Sequence, residues 1–442
     1  MIIAKRLKGK AIAAWLGSTG DAVRGAVSAV RNRVSPSEQK LELYFDIADP
    51  WSYLAAQAVK RLIEAYKVPF EIHVVTPPAS DVDPAPELRA KHAVRDAVEL
   101  AGYWNLDFAG KRPADSGIVR DVGTVLIKER SHEDQLRAIL ELCPLMWATD
   151  RKGVAKVMGV YGTEGHNSVP PILNENYAAL RRAGHYQGAM VKYGDGWYWG
   201  IDRLQYLEAV LARDTGKPIA HVVSPRPETE RGPVKLSDKP LVCEMWFSFR
   251  SPYSYLALEQ IEAVLAPYNI PLQLRPIAPM VTRGLAVPPI KRMYIVRDAK
   301  READRLNIPF GELCDPLGAG VDNCLAIAKW AGERGAGLAF ARSAMRGIWT
   351  EAKDMAEYVD LRSVVERANL PWEEAKAAIG RPEVAKWATL NATDLAVVSL
   401  WGVPSFRVGD FVSWGNDRLP LLADRLRRHA LVPPEAAADV PS

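Results

Sequence analysis

The chain has little cysteine, little histidine and no long apolar run, and each shortage removes a class of function. Its 442 residues include only four cysteines, Cys143, Cys243, Cys314 and Cys324, none at C-x-x-C spacing. That is too few for a disulfide scaffold, and the usage points to a reducing, cytoplasmic setting. The seven histidines fall at no metal-ligand spacing, and neither Cys314 nor Cys324 has a histidine at zinc-finger distance, so no metal is expected. No glycine-rich phosphate loop follows a strand-like segment, so no nucleotide cofactor is expected either. Near the N-terminus, Lys5, Arg6, Lys8 and Lys10 precede a mixed run ending at Leu16, too short and interrupted for a transmembrane helix or a secretory signal.

An excess of one charge sign is also missing from most of the chain. Residues 1–40 hold eight Lys or Arg against two Asp or Glu, a surplus of +6, so with a net charge of +4 the remainder carries −2. The body therefore offers no basic surface for nucleic acid. The basic extension 1–40 is open to two expectations, a solvated helical arm or a weak membrane contact. With 48% hydrophobic and 25% charged residues, the rest is ordinary globular material, long enough for two cores.

What the chain does have is an internal repeat. Phe45-Asp46-Ile47-Ala48-Asp49-Pro50-Trp51-Ser52-Tyr53-Leu54-Ala55 recurs as Phe247-Ser248-Phe249-Arg250-Ser251-Pro252-Tyr253-Ser254-Tyr255-Leu256-Ala257. Farther on, Gly194-Asp195-Gly196-Trp197-Tyr198-Trp199-Gly200-Ile201-Asp202-Arg203-Leu204 recurs as Gly409-Asp410-Phe411-Val412-Ser413-Trp414-Gly415-Asn416-Asp417-Arg418-Leu419. Two matches in the same order indicate a duplicated domain. The expected organisation is the extension 1–40, a first domain 41–212, a proline-rich linker 213–240, a second domain 241–432 and a disordered tail 433–442.

Each copy opens with an apolar strand, Leu41 to Ile47 and Leu241 to Phe249, followed at once by a helix. Asp49 and Ser251 are placed to cap those helices, with Pro50 and Pro252 at the first helical position. A second strand follows, Phe70 to Val75 and Leu272 to Ile277, giving strand, helix, strand units with a parallel pair. The region from about Pro289 to Ile379 is expected to be helical, and each copy closes with a hairpin and a helix.

These residues carry a resemblance. The Ser251-Pro252-Tyr253-Ser254 helix start, Pro288-Pro289-Ile290-Lys291-Arg292-Met293-Tyr294, Asp298, Trp349-Thr350-Glu351, Gly402-Val403-Pro404 and Trp414-Gly415-Asn416-Asp417-Arg418 resemble the kappa-class glutathione transferases and 2-hydroxychromene-2-carboxylate isomerases, relatives of DsbA. The resemblance covers most of 241–430, and 41–212 more weakly. It implies an α/β fold of two tandem thioredoxin-like domains, each with a helical insertion. It also implies glutathione as cofactor, with Ser251 activating its thiolate, Val403 beside a cis Pro404 pairing with its backbone, Asn416 and Asp417 at its γ-glutamyl end, and Lys291 at a carboxylate.

Where a dithiol enzyme of this fold would carry Cys-x-x-Cys, this chain has Ser251 and Ser254. Serine forms neither a disulfide nor an anion near neutral pH, which excludes thiol exchange by these residues. Copy one has Asp49 where copy two has Ser251, and a carboxylate there would repel a thiolate. Its counterpart of Pro404 is either Ala189, aligned without gaps, or Pro170 after an insertion, and the insertion is preferred. His185, Tyr186 and Trp197 to Trp199 form an aromatic group of their own, open as core or as a ligand pocket.

The leading expectation is a glutathione-dependent isomerase acting on a small conjugated or electrophilic substrate, with no nucleic-acid partner. A kappa-like transferase and a non-catalytic binding protein are the alternatives, and monomer and homodimer both stay open.

Overall fold

A computed structural model describes residues 39–432. The basic extension, apart from residues 39 and 40, and the 433–442 tail lie outside the described residues. Among those described, the chain divides into two compact units, residues 39–226 with 286–292, and residues 227–285 with 293–432.

In the first unit, β1 (Leu41–Asp46) pairs in parallel with β2 (Phe70–Val75) in the register Leu41↔Phe70, and α1 (Pro50–Tyr66) connects them. The carboxylate of Asp49 caps α1 by accepting from the Ser52 amide at 3.1 Å, and Lys67 ends the helix in the left-handed region at φ 56°. Five helices follow: α2 (Pro86–Trp104), α3 (Ser116–Leu126), α4 (His132–Trp147), α5 (Arg151–Tyr161) and α6 (Val169–Ala183). The chain then returns through the hairpin of β3 (Met190–Tyr193) and β4 (Gly196–Trp199) and closes with α7 (Gly200–Thr215), giving the strand order β2-β1-β3-β4.

The second unit repeats this plan. Here β5 (Cys243–Phe247), α8 (Pro252–Leu265) and β6 (Leu272–Pro276) form the strand, helix, strand unit. A long insertion comprises α9 (Pro289–Arg305), α10 (Ala319–Gly332), α11 (Gly337–Thr350), α12 (Tyr358–Arg367), α13 (Trp372–Lys376) and α14 (Glu383–Val397). It runs past the expected end at Ile379 and is broken by an irregular stretch between α9 and α10. The hairpin of β7 (Ser405–Val408) and β8 (Phe411–Trp414) and the helix α15 (Leu419–His429) close the unit, with strand order β6-β5-β7-β8. Both hairpins turn through a glycine with positive φ, Gly194 at 57° and Gly409 at 55°, where a side chain would be strained.

The duplication extends to a buried polar contact that the two sequence matches do not include. Val94-Arg95-Asp96-Ala97 on α2 and Val296-Arg297-Asp298-Ala299 on α9 are the same tetrapeptide. In each unit its buried aspartate accepts a hydrogen bond from the ring donor two residues beyond the helix cap. The indole of Trp51 donates to Asp96 at 2.8 Å, and the phenol of Tyr253 donates to Asp298 at 2.7 Å. The contact fastens the start of the first helix to the insertion.

The proline-rich stretch after α7 is tied down at both ends. Glu208 accepts from the amides of Val222 at 2.9 Å and Val223 at 3.2 Å within the first unit. Leu236 accepts from the Asp410 amide at 3.0 Å within the second. Among the described residues no helix is long and apolar enough to cross a membrane, and the four cysteines are all buried.

Replacing Asp298 by Ala leaves the Tyr253 hydroxyl without its charged acceptor. Urea unfolding is expected to show a loss of about 1–3 kcal/mol, and a smaller loss when Tyr253 is already Phe.

Candidate functional site

The site forms where β5 passes into α8, opposite the loop that enters β7. Ser251 caps α8: its Oγ accepts from the Ser254 amide at 3.1 Å and donates to the Val403 carbonyl at 3.4 Å. The second distance is at the weak end of hydrogen bonding, so the hydroxyl proton is loosely held. The peptide between Val403 and Pro404 is cis. Ser251 is partly exposed, and it stands at the positive end of α8.

The two serines that fill the dithiol positions are not equivalent. Ser254 is fully buried, and its Oγ accepts from the Ser248 amide at 3.3 Å, so it braces the turn. In the first unit Ser52 is buried the same way and accepts from the Asp46 amide at 3.2 Å. Only Ser251 of the pair has surface to offer a ligand.

The loop facing Ser251 is tightly built. The Ser405 hydroxyl donates to the Gly402 carbonyl at 2.8 Å, and the Gly415 amide donates to the Pro404 carbonyl at 2.9 Å. Gly402 lies against the indole of Trp414, where an added Cβ would meet ring atoms at 2.4 Å. The bond to Gly415 brings Asn416 and Asp417 to the same loop. Asn416 is buried, whereas Asp417 is partly exposed and lies 3.3 Å from Arg418. Thus Ser251, Val403, Pro404, Asn416 and Asp417 come together, with Asp417 the more accessible of the last two.

The two cations named with this motif in the sequence, Arg250 and Lys291, are placed differently. Arg250 is held by Asp315 through two bonds of 2.7 and 2.8 Å, and this pairing raises its pKa. Lys291 belongs to the segment 286–292 that groups with the first unit. Its ammonium donates to the Val82 carbonyl at 2.7 Å, and burial pushes its pKa down to about 8.

The first unit has the same turn with acidic chemistry. Asp49 is buried, accepts from the Ser52 hydroxyl at 2.9 Å, and lies 3.4 Å from Arg89. Asp46, the counterpart of Ser248, is also buried, and desolvation together with the neighbouring charge of Asp49 pushes its pKa up to about 7. Desolvation raises the pKa of Asp49 as well, against the opposing charge of Arg89.

The structure corrects the expected counterpart of Pro404. Pro170 lies in the first turn of α6, in the insertion. Ala189 immediately precedes β3, and the Gly200 amide donates to its carbonyl at 2.8 Å, matching the bond from Gly415 to Pro404. Ala189 also donates its own amide to Ser52 Oγ at 2.7 Å, a donor that proline lacks. The gap-free alignment was the informative signal. His185, Tyr186 and Tyr198 are buried, whereas Trp197 and Trp199 are partly exposed; His185 stacks on Tyr186 at 4.6 Å and on Trp197 at 5.1 Å.

Gly402→Ala forces either the indole or the loop to move, because aromatic ring atoms yield little. It is expected to cost more than about 1 kcal/mol in chemical denaturation, with β7 and β8 exchanging amide hydrogens faster. For Asp46, the native carboxyl binds a proton more tightly than the unfolded one. The first unit therefore loses stability as pH rises from about 4 to 7 and remains less stable above that. Asp46→Asn keeps the acceptor for the Ala48 amide without the charge. It is expected to stabilise α1 and β1 by about 1 kcal/mol or more at pH 8 in hydrogen exchange, and to flatten the pH dependence below pH 7.

Residues 242–427 match the model of the DsbA-like thioredoxin domain. No curated protein matches the chain. Among solved structures, a 2-hydroxychromene-2-carboxylate isomerase is 20% identical over 43% of this chain and 96% of its own, with a TM-score of 0.38. A probable DsbA oxidoreductase from Streptomyces coelicolor is 17% identical over 45% of this chain and 94% of its own, with a TM-score of 0.37. The cytosolic disulfide reductase DsbM from Pseudomonas aeruginosa is 16% identical over 43% and 95%, with a TM-score of 0.35. The matched region includes the Ser251-Pro252-Tyr253-Ser254 helix start, which holds serine and no cysteine.

Proposed function

We propose that the second unit is a glutathione-dependent cis-trans isomerase of the 2-hydroxychromene-2-carboxylate type, acting on a small conjugated substrate. The observation that carries this reading is the Ser251 hydroxyl, partly exposed at the N-terminus of α8 and bonded at 3.4 Å to the carbonyl preceding cis Pro404. When bound, glutathione supplies a nucleophilic sulfur whose reversible addition to a conjugated double bond lets that bond rotate before it is restored.

The donor set suits such a ligand. Ser251 already accepts from an amide of α8, so its own proton is the part left to give, and turning it from Val403 to a sulfur forfeits only a weak bond. That hydroxyl and the helix terminus both favour the thiolate over the thiol, lowering the sulfur's pKa. The backbone at Val403 is the place for the ligand's peptide groups, and Asp417 is an acceptor for its ammonium. The equivalent turn of the first unit is filled by the buried carboxyl groups of Asp49 and Asp46, which supports the second unit as the place of the chemistry.

Calorimetry at millimolar glutathione tests this. The protein is expected to bind, and Ser251→Ala to bind about tenfold more weakly, the loss of one charge-assisted hydrogen bond. No binding by the natural protein, or equal binding by the variant, contradicts the reading.

A further inference from the structure

The second unit contains a cation that the sequence motifs do not single out. Arg283 ends the short turn Met280–Arg283 that follows β6. Its side chain is partly buried, and it donates through Nε to the Ala278 carbonyl at 3.1 Å and through Nη2 to the Trp401 carbonyl at 2.7 Å. Among the described residues no carboxylate pairs with it, and its pKa is lowered by burial alone. Arg250 by contrast has Asp315, Arg275 has Glu244, Arg342 has Glu262 and Arg346 has Glu259. A guanidinium partly withdrawn from water and bonded only to carbonyls keeps its charge unneutralised, which is costly unless an anion completes it.

Its position gives that anion an identity. The Trp401 carbonyl that anchors it is two residues from the Val403 carbonyl that Ser251 contacts, so Arg283 braces the loop on which the ligand's backbone is proposed to lie. Gly284, next in the chain, has open space around it, with no atom within 4 Å of an added Cβ. Asp417 stands on the β8 side of the same loop and suits an ammonium, whereas Arg283 stands on the β6 side and suits a carboxylate. The ammonium of Lys291 is engaged with Val82.

We propose that Arg283 is the carboxylate-binding residue of this site and takes the glycine carboxylate of glutathione, so that a ligand of this length lies along the loop with its two ends read by opposite charges. This rests on the glutathione reading above. Guanidinium suits the task because its fork can bond carbonyls with some donors and a carboxylate with the others.

The experiment compares glutathione with its glycine monoethyl ester, by calorimetry, on the full chain and on Arg283→Gln and Arg283→Lys. The natural protein is expected to prefer glutathione by about tenfold, Arg283→Gln to lose the preference, and Arg283→Lys to retain part of it. The preference should also shrink with added salt. Equal binding of the two ligands by the natural protein overturns the role of Arg283 and leaves the glutathione reading standing. The same holds if Arg283→Gln weakens both ligands alike, which is the result of a purely bracing role. Binding of neither ligand by the natural protein overturns both.

Discussion

At the start of the first helix in each unit, backbone amides point outward with no helical carbonyl to receive them, and the side chain at the cap decides what that positive end can attract. Asp49 satisfies the Ser52 amide with an oxygen of a buried carboxyl group. Ser251 satisfies the Ser254 amide with a neutral oxygen that still has a proton to donate. Both cap well, so the fold tolerates either. For an incoming anion the two differ: one helix end is closed by a buried carboxyl group, and the other is capped by a hydroxyl that adds a donor.

The remaining structure holds that difference in place. In both units a buried serine, Ser52 or Ser254, ties the end of the first strand to the helix, and a buried aspartate, Asp96 or Asp298, grips the helix start from the insertion. The carbonyl before the third strand receives the amide of Gly200 or Gly415. These contacts are duplicated almost atom for atom, whereas the cap, the residue three before it and the residue entering the third strand are not. Asp46 and Asp49 stand against Ser248 and Ser251, and Ala189 stands against Pro404. The divergent positions all lie on one turn and the loop facing it.

Much of this was legible in the sequence because it depends on local rules. Ser-Pro and Asp-Pro at a strand end announce a capped helix, Gly-Asp between apolar pairs announces a hairpin, and Phe70 to Val75 forms the expected strand with the expected bounds. Less legible were residues whose surroundings are set by distant neighbours. Pro170 next to a valine looks like the loop proline, yet proline is equally at home in the first turn of a helix, where it is found. Lys291 matches its motif by position, but its burial beside Val82 depends on packing. Arg283 looks like any surface arginine until the absence of a carboxylate partner among the described residues becomes visible in three dimensions. The Val-Arg-Asp-Ala repeat could have been found by comparing the insertions directly, since it was present in plain sequence.

The central claim is that a glutathione thiolate is welcomed by one copy of the turn and refused by the other. Hydrogen exchange of the full chain with and without millimolar glutathione tests it directly. Added protection at residues 247–254 and 402–405, with none at 45–52, is the result this account predicts. Protection at 45–52, or at neither turn, would contradict it.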